Sequence, residues 1–182
     1  MWPREQMPRE VSAGSPGAGA GSDHRVGIGY DSHRFAAGRP LILGGVRIQS
    51  DAGLLGHSDA DAVSHAITDA ILGASGLGDI GEMFPDSDPA NKDRDSIGML
   101  EAAVRRVWDA GYSVSNVDVT VIAESPRLAP ERERIRSRLA AALGVDSSAV
   151  SVKGKSNEGM GWIGRQEGLA CIAVATLIGK RT

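Results

Sequence analysis

Apolar side chains recur at helical spacing between residues 58 and 74, and this stripe constrains the fold more than any other feature of the sequence. Its members are Val63, Ala66, Ile67, Ala70, Ile71 and Ala74. Such spacing predicts a helix that buries one face. Ser58 is a good N-cap residue and Asp61 follows three residues later, as in a capping box, so we expect the helix to run from there to about Gly73.

Strand patterns alternate with helical patterns from Arg25 onward. The strand patterns cover residues 25–29, a hairpin over 41–48 turned at two glycines, and residues 116–122, 150–152 and 169–177. Further helices are predicted from about residue 95 to 111 and from 130 to 143. This order predicts an α/β (α+β) sandwich with one mixed sheet of the four-stranded type and helices packed on one face. The uncovered face would need a partner, so we expect an oligomer.

Composition narrows the classes of function. The chain has 182 residues and a formal net charge of -3, so it lacks the excess of basic residues typical of proteins that bind nucleic acid. No stretch approaches the roughly 18 apolar residues of a membrane span. Cys171 is the one cysteine, so neither a disulfide framework nor a thiolate metal site is available. We therefore expect a cytoplasmic protein with a small-molecule partner.

The N-terminal segment differs from the rest of the chain. It is rich in Gly, Ala, Ser and Pro and has little to bury. We expect residues 1–24 to be a disordered extension and residues 25–182 to form a single domain. A plastid transit peptide is the alternative, against which the acidic residues Glu5, Glu10 and Asp23 count.

Three of the four histidines are concentrated in two short segments. Asp31, His33 and His65 supply a carboxylate and two imidazoles, a common ligand set for zinc that leaves a fourth position for substrate or water. Asp61 or Asp69, one helical turn from His65, could accept its other ring N–H and fix its tautomer. The alternative is that each histidine is a hydrogen-bonded surface or core residue.

Three further polar segments could bind a phosphorylated ligand. Residues 78–89 place three aspartates among glycines and prolines, which suits sugar-like hydroxyl groups but equally a solvated turn. Residues 153–165 combine glycines with two lysines and suit a phosphate, with Glu158 as a ligand for a second hard cation, or they form an exposed basic hairpin. Residues 123–130 link a strand to a helix, and such a junction can offer backbone groups to a planar base.

Three long motifs stand in order along the chain. They are Gly-Tyr-Asp-Ser-His at 29–33, Gly-His-Ser-Asp-Ala-Asp at 56–61 followed by His65, and Gly-Asp-Ile-Gly-Glu-Met-Phe-Pro-Asp-Ser-Asp-Pro at 78–89. The chain resembles, over residues 25–182, the 2-C-methyl-D-erythritol 2,4-cyclodiphosphate synthase family of the non-mevalonate isoprenoid pathway. The resemblance implies a homotrimer with active sites between subunits. It also implies conversion of 4-diphosphocytidyl-2-C-methyl-D-erythritol 2-phosphate to the cyclic diphosphate and CMP.

The resemblance also implies roles for individual residues. Asp31, His33 and His65 would hold one Zn²⁺ per site, and Glu158 would hold Mg²⁺ or Mn²⁺ on the substrate diphosphate. His57 and Ser156 match positions that steady the transition state. The other implied substrate contacts are Ser58, Asp79, Ile80, Gly81, Phe84, Pro85, Asp86, Ser87, Asp88, Ala123, Glu124, Ser125, Pro126, Arg127, Leu128, Ala129, Lys155, Asn157, Trp162 and Arg165. In relatives, the arginine that matches Arg165 also faces a trimer-axis cavity that can hold an isoprenoid diphosphate.

Two other functions stay open at this point. A zinc phosphohydrolase could use the same ligands to activate water, and release of CMP with a cyclic product would separate it from the synthase. A non-catalytic trimer that binds isoprenoid diphosphates is the second alternative. Glu158 and Asp79 argue against it, because a pure binding protein has no use for a second metal site.

Overall fold

Strands and helices alternate along residues 23–180, the part of the chain that the computed structural model describes. The strands are β1 His24–Ala37, β2 Leu41–Leu43, β3 Val46–Ile48, β4 Ala52–Leu55, β5 Tyr112–Ile122, β6 Val150–Lys155 and β7 Gly168–Gly179. The helices are α1 Ala62–Ser75, α2 Ile80–Met83, α3 Ser96–Asp109, α4 Arg132–Leu143 and α5 Gly161–Gly164. The predicted extension lies outside the described residues, apart from Asp23 and His24.

Within residues 23–180, five strands form one mixed sheet in the order β4-β1-β7-β5-β6. Neighbouring strands are antiparallel except β5 and β6, which are parallel. The predicted mixed α/β fold is confirmed, but the predicted four-stranded sheet is wrong. The additional strand is β4. Strand β1 continues to Ala37, and its last residues pair with β4, from Arg34 opposite Leu55 to Ala37 opposite Ala52. Strands β2 and β3 form the predicted hairpin separately.

Strand β1 extends well beyond the predicted segment of residues 25–29 and has 14 residues. The polar residues Asp31, Ser32 and His33 hide the strand pattern in the sequence. The long neighbouring strand β7 pairs with this whole segment, to Arg34 opposite Gly168. Because side chains alternate along a strand, this pairing places Asp31 and His33 on the same face.

The backbone of helix α1 packs directly against the backbone of strand β1. A methyl group on Gly29 would lie 1.9 Å from the carbonyl oxygen of Ala66, and one on Gly27 would lie 2.1 Å from that of Ala70. The absence of a Cβ at both glycines therefore determines how closely the helix approaches the strand. The predicted apolar stripe of α1 is buried, with Val63, Ala66, Ile67, Ala70 and Ile71 at 0% exposure.

Asp61, not Ser58, caps α1. Its carboxylate accepts hydrogen bonds from two backbone N–H groups in the first turn of the helix, and from those of Gly44 and Gly45 at the hairpin turn at 2.8 and 2.7 Å. Burial nevertheless raises the pKa of Asp61 above its ordinary value. The prediction of a cap at Ser58 is wrong because its hydroxyl accepts the backbone N–H of Ala60, which precedes the helix, and not an N–H group of the first turn. Asp61 thus ties the hairpin to the start of α1.

Helices α3 and α4 lie close to their predicted positions. Asp95 caps α3, and Gly144 ends α4 in the left-handed conformation, with φ 69°. Within the described part of the chain, no helix is long and apolar enough to cross a membrane.

The face of β1 that points away from α1 is exposed and apolar. Val26 is 67% exposed, Ile28 is 70% exposed and Tyr30 is 55% exposed. Val174, opposite Ile28 on β7, is 38% exposed. We call these four residues the open apolar patch. A patch of this kind is typical of a surface that another chain covers.

Candidate active site

Asp31 and His33 lie two residues apart on β1 and therefore on the same face of the sheet. Gly27 and Gly29 belong to the same alternation, so this is the face against which α1 packs. His65 lies near the start of α1. The close approach of helix and strand brings its ring to the two strand residues.

One atom from each of these three side chains meets the others. His33 Nε2 is 2.9 Å from Asp31 Oδ2, and His65 Nδ1 is 3.0 Å from the same oxygen. The two nitrogens are 3.4 Å apart. In a tetrahedral zinc site with bonds of about 2.0 Å, ligand atoms are about 3.3 Å apart, so this triangle has nearly the size of one tetrahedral face. Residues 23–180 contain no other group of three His, Cys, Asp or Glu ligand atoms that could meet at one ion.

In each of the two histidines, the ring nitrogen that faces away from the cluster has a hydrogen-bond partner. His33 Nδ1 lies 2.9 Å from the carbonyl oxygen of Leu55, and His65 Nε2 lies 2.9 Å from the hydroxyl of Ser96. The sequence predicted Asp61 or Asp69 as the partner of His65, and this is wrong. Asp61 caps α1, and Asp69 accepts a hydrogen bond from the backbone N–H of residue 80. Sequence reasoning missed Ser96 because it lies 31 residues from His65, with only its place beside a helix cap as a signal.

The protonation of the cluster suits a cation. Burial by itself raises the pKa of Asp31, but hydrogen bonds from His33 and His65 outweigh it and hold that pKa well below its ordinary value. Burial lowers the pKa of His33, whereas the hydrogen bond to Asp31 raises it, and the net result lies above the ordinary value. In the metal-free protein each of these two groups thus favours the charged form of the other, the carboxylate of Asp31 and the imidazolium of His33. A divalent cation could take the place of that proton, so this donor set fits zinc.

A cavity of about 470 Å³ opens beside this cluster, and we call it the histidine cavity. It is lined by Asp31, His33, His57, Ser58, His65, Ile80, Gly81, Phe84, Pro85, Asp86, Asn91 and Met99. The two residues not predicted are Asn91, which follows the third motif, and Met99, which has the pattern of a core residue of α3. Clustered nitrogen and oxygen atoms next to apolar side chains suit a small phosphorylated ligand.

Only part of the predicted sugar-binding loop lines the histidine cavity. Asp79, Ser87 and Asp88 are not among its lining residues. The Asp79 carboxylate caps α2 by accepting the N–H of Glu82 at 2.8 Å. Asp88 accepts the N–H of Ala90 at 2.9 Å and caps the 3-10 turn over residues 89–91. These two carboxylates therefore shape the loop.

A second cavity, of about 380 Å³, opens where β5 and β6 end, and we call it the strand-end cavity. It is lined by Val121, Ala123, Glu124, Pro126, Arg127, Leu128, Ala129, Arg132, Gly154, Lys155 and Ser156. Ser125 is not among these residues, and its hydroxyl donates to Gln166 at 3.1 Å. Arg132 adds a cation that the sequence analysis missed, because its charge looked like part of the exposed face of α4. Apolar walls with several cations suit a base attached to phosphate.

Glu124 holds the loop that carries Glu158. Its Oε1 atom accepts hydrogen bonds from the backbone N–H groups of Asn157 at 2.9 Å and Gly159 at 3.1 Å. Between them, Glu158 has a left-handed backbone with φ 52°, which is unfavourable for a residue other than glycine. The exposed Glu158 carboxylate accepts the hydroxyl of Ser156 at 3.1 Å. The cost of the loop conformation is thus offset by Glu124.

Trp162 and Arg165 lie away from the strand-end cavity. Trp162 lines a third cavity, of about 490 Å³, together with His33, Arg34 and other residues. Arg165 Nε is 2.7 Å from a carboxylate oxygen of Glu167. The predicted contact of these two residues with the nucleotide is therefore not made within one chain's strand-end cavity.

The histidine and strand-end cavities are separated across the sheet. Asp31 lies opposite Cys171 on β7, which in turn lies opposite Val121 on β5. Val121 lies opposite Gly154 on β6. With neighbouring strands about 4.8 Å apart, Asp31 and Gly154 are about 14 Å apart. The two cavities share no lining residue, so each is one half of a larger site or a site of its own.

A model of the YgbB family matches residues 24–178, nearly all of the described chain. The chain belongs to the YgbB family. Among its YgbB-family relatives, the 2-C-methyl-D-erythritol 2,4-cyclodiphosphate synthase of Gemmatimonas aurantiaca is 63% identical over 154 residues, 85% of this chain and 93% of the relative. The protein of the same name from Neisseria gonorrhoeae is 54% identical over 85% of this chain and 96% of its own length.

Solved structures agree with this assignment. The structure of IspF from Plasmodium falciparum in complex with CDP has a TM-score of 0.77 at 37% identity, over 87% of this chain and 97% of that chain. The family resemblance expected from the three motifs is therefore confirmed, together with the mixed α/β fold.

Proposed function

We infer that this protein is an enzyme that converts 4-diphosphocytidyl-2-C-methyl-D-erythritol 2-phosphate to 2-C-methyl-D-erythritol 2,4-cyclodiphosphate and CMP, in the non-mevalonate pathway to isoprenoid precursors. Membership of the YgbB family and relatives of 54% and 63% identity that bear the name of this synthase support the inference. The structural observation that carries it is the convergence of Asp31, His33 and His65 beside the histidine cavity.

The reaction is an intramolecular phosphoryl transfer. An oxygen of the 2-phosphate attacks the β-phosphorus, and the bond from that phosphorus to the α,β-bridging oxygen breaks. CMP leaves with the bridging oxygen and its electron pair. The attacking oxygen is ionised at neutral pH, so no general base is required. The protein must hold the attacking and leaving oxygens in line and stabilise the charge on the phosphoryl oxygens.

Zn²⁺ is the proposed ion at Asp31, His33 and His65. Three protein ligands leave a fourth position for a phosphate oxygen, where the ion would supply Lewis-acid stabilisation. His57 and Ser58 line the same cavity and are proposed to contact the transferred phosphoryl group. The proposed contacts to the methylerythritol are residues 79–81 and 84–88, with Asp79 and Asp88 also shaping the loop.

Glu158 is the proposed protein ligand of Mg²⁺ or Mn²⁺ on the diphosphate. Magnesium is usually held by one or two carboxylates and takes its other ligands from phosphates and water, which a single exposed glutamate can satisfy. Ser156, next to Glu158, is proposed to steady the transition state. Lys155 and the segment 123–129 are proposed to bind the cytidine diphosphate, with Glu124 and Asn157 supporting the loop.

A homotrimer is proposed because one chain does not bring the two cavities together. The separation of about 14 Å between Asp31 and Gly154 exceeds the span of a diphosphate. A neighbouring subunit could place its strand-end cavity against the histidine cavity, and covering the open apolar patch would favour such an assembly. Trp162 and Arg165 are proposed to flank the cytidine diphosphate pocket of the assembled site, and Arg165 also to face a trimer-axis cavity that could take an isoprenoid diphosphate.

We also propose the limits of the domain and the compartment of the protein. Residues 25–182 are proposed as the catalytic domain, with residues 1–24 as an extension. A cytoplasmic location is proposed, in keeping with Cys171, a buried free thiol.

Phosphorus NMR tests the proposed function directly. The purified protein would be incubated with 4-diphosphocytidyl-2-C-methyl-D-erythritol 2-phosphate, Zn²⁺ and Mg²⁺. We expect CMP and the cyclic diphosphate to appear in equal amounts, and a chelator to abolish both. Release of inorganic phosphate would favour the phosphohydrolase, and binding without turnover would favour the non-catalytic alternative.

A further inference from the structure

Ser96 is completely buried at the first position of α3, and its hydroxyl faces the His65 ring. The Oγ atom lies 2.9 Å from His65 Nε2, on the side of the ring opposite the nitrogen that meets Asp31. None of the three sequence motifs contains this serine. A buried hydroxyl needs hydrogen-bond partners, so its contacts define the direction of its proton.

Asp59 determines that direction. The Ser96 hydroxyl donates to Asp59 Oδ1 in a close contact, and the Ser96 backbone N–H donates to Asp59 Oδ2 at 3.2 Å. The backbone N–H of Asp59 donates to the carbonyl of Arg94 at 3.2 Å, which fixes the aspartate against the start of α3. An ionised carboxylate can only accept, so the hydroxyl proton of Ser96 points to Asp59.

The proton on His65 follows from this arrangement. With its proton on Asp59, Ser96 offers only lone pairs to the ring, so His65 Nε2 must carry a proton and donate it. Nδ1 lies 3.0 Å from the Asp31 carboxylate, to which it can donate in the metal-free protein. Because Nε2 keeps its proton, Nδ1 is the nitrogen that loses its proton when an ion binds and then presents its lone pair to the ion. The hydroxyl of Ser58 lies 3.1 Å from the same Nε2 and can act as a second acceptor.

We propose that Ser96, oriented by Asp59, is a positioning residue that holds His65 in the Nε2–H tautomer and thereby sets the metal affinity of the cluster. The proposal rests on the metal site of the proposed function. His33 has the matching arrangement, since its Nδ1 faces the carbonyl of Leu55 and leaves Nε2 for the ion. The two histidines thus present opposite ring nitrogens, each fixed from behind, and only the partner of His65 is a side chain that mutation can remove.

Zinc affinity of three variants tests the proposal, measured by competition with a chromophoric chelator. Ser96→Ala removes the nearer of the two acceptors, which lies 2.9 Å from Nε2 against 3.1 Å for Ser58. Asp59→Asn supplies an amide that can donate to Ser96, which frees the serine to donate to Nε2 and favours the wrong tautomer. Ser75→Ala is the matched control, a buried serine on the same helix as His65 whose hydroxyl donates to backbone carbonyls. We expect the first two to weaken zinc binding about 10- to 100-fold and the control to stay within about twofold.

Two-bond ¹H–¹⁵N NMR of the metal-free wild-type protein gives an independent reading of the His65 tautomer. We expect a proton on Nε2 in the wild type and its loss in Asp59→Asn. A wild-type His65 without a proton on Nε2 would overturn the proposal even if Ser96→Ala failed to fold, which circular dichroism would detect. Unchanged zinc affinity in folded Ser96→Ala would overturn it alone, whereas absence of zinc binding by the wild type would overturn the proposed metal site as well.

Discussion

The carbonyl oxygen of Ala66 lies 1.9 Å from the point where a methyl group on Gly29 would stand, so β1 and α1 touch backbone to backbone. Gly29→Ala would force the helix outward and carry His65 away from Asp31. We expect a loss of about 3 kcal/mol in the free energy of unfolding, typical of an overpacked core, and a more than tenfold loss of zinc affinity. Urea denaturation and chelator competition measure the two effects.

Gly73→Ala provides the control for that variant. Gly73 is also in α1, but an added methyl would meet no atom within 4 Å. Replacing glycine by alanine in a helix should raise the free energy of unfolding by about 0.5–1 kcal/mol. A Gly29→Ala protein as stable as the wild type would contradict the backbone contact.

His65→Ala should abolish zinc binding and turnover. It removes one of three converging ligand atoms and leaves an incomplete site. We expect kcat/KM to fall at least 1,000-fold, about 4 kcal/mol of transition-state stabilisation. Steady-state assays with elemental analysis of the purified variant measure both quantities. Substantial activity in a zinc-free protein would show that the cluster is not the catalytic metal site.

Glu124→Ala and Glu124→Gln should differ strongly. Only the glutamine keeps an Oε1 atom that can accept from the N–H groups of Asn157 and Gly159. We expect the alanine variant to lose about 10- to 100-fold in kcat/KM, the size of effect found when a residue that orients a metal ligand is lost. The glutamine variant should remain within about threefold of the wild type. Equal losses of kcat/KM in both variants would mean that the negative charge of Glu124, and not its hydrogen bonds to the loop, is required.

The stability of the metal-free protein should depend on pH through Asp31 and His33. The lowered pKa of Asp31 gives a contribution that is present above its unfolded value of 3.8 and lost as the pH falls through the folded value. The raised pKa of His33 gives a contribution that is complete below 6.5 and lost as the pH rises through the folded value. Both contributions are therefore present between these limits.

We accordingly expect the metal-free protein to unfold at lower urea concentration at pH 9 than at pH 6. Asp31→Asn should remove most of this difference, because it removes the partner that raises the pKa of His33. Zinc affinity should change in the opposite sense, since the ion competes with the proton on the imidazole. If the Asp31→Asn protein still loses stability to urea at pH 9, other titratable groups cause the effect.

Removing residues 1–22 should leave turnover and the proposed trimer nearly unchanged. The cut precedes β1, whose first residue, His24, pairs with Ile178. Size-exclusion chromatography with light scattering, together with the phosphorus NMR assay, compares the two chains. Loss of the trimer would show that the extension belongs to the assembly.

Local spacing in the sequence predicted the parts of the site that depend on neighbouring residues. Asp31 and His33 were predicted as ligands from their closeness in the sequence, although the predicted strand ended at residue 29. The position of His65 follows from the helix predicted around it. Contacts between distant segments left no such pattern. Ser96 reaches His65 across 31 positions, and Glu124 reaches Asn157 across 33. The pairing of β4 with β1 was missed because polar residues in the middle of β1 hide its length.

Strand β1 has two sets of neighbours in strict alternation, and this limits how its sequence can change. Gly27, Gly29, Asp31 and His33 face α1, whereas Val26, Ile28 and Tyr30 face outward. Substitutions can alter one set at a time. A single residue inserted into or deleted from the strand would exchange the two sets on one side of that position, turning ligands outward or bulky side chains into the helix. The number of residues in this strand should therefore stay constant in evolution even where individual side chains change.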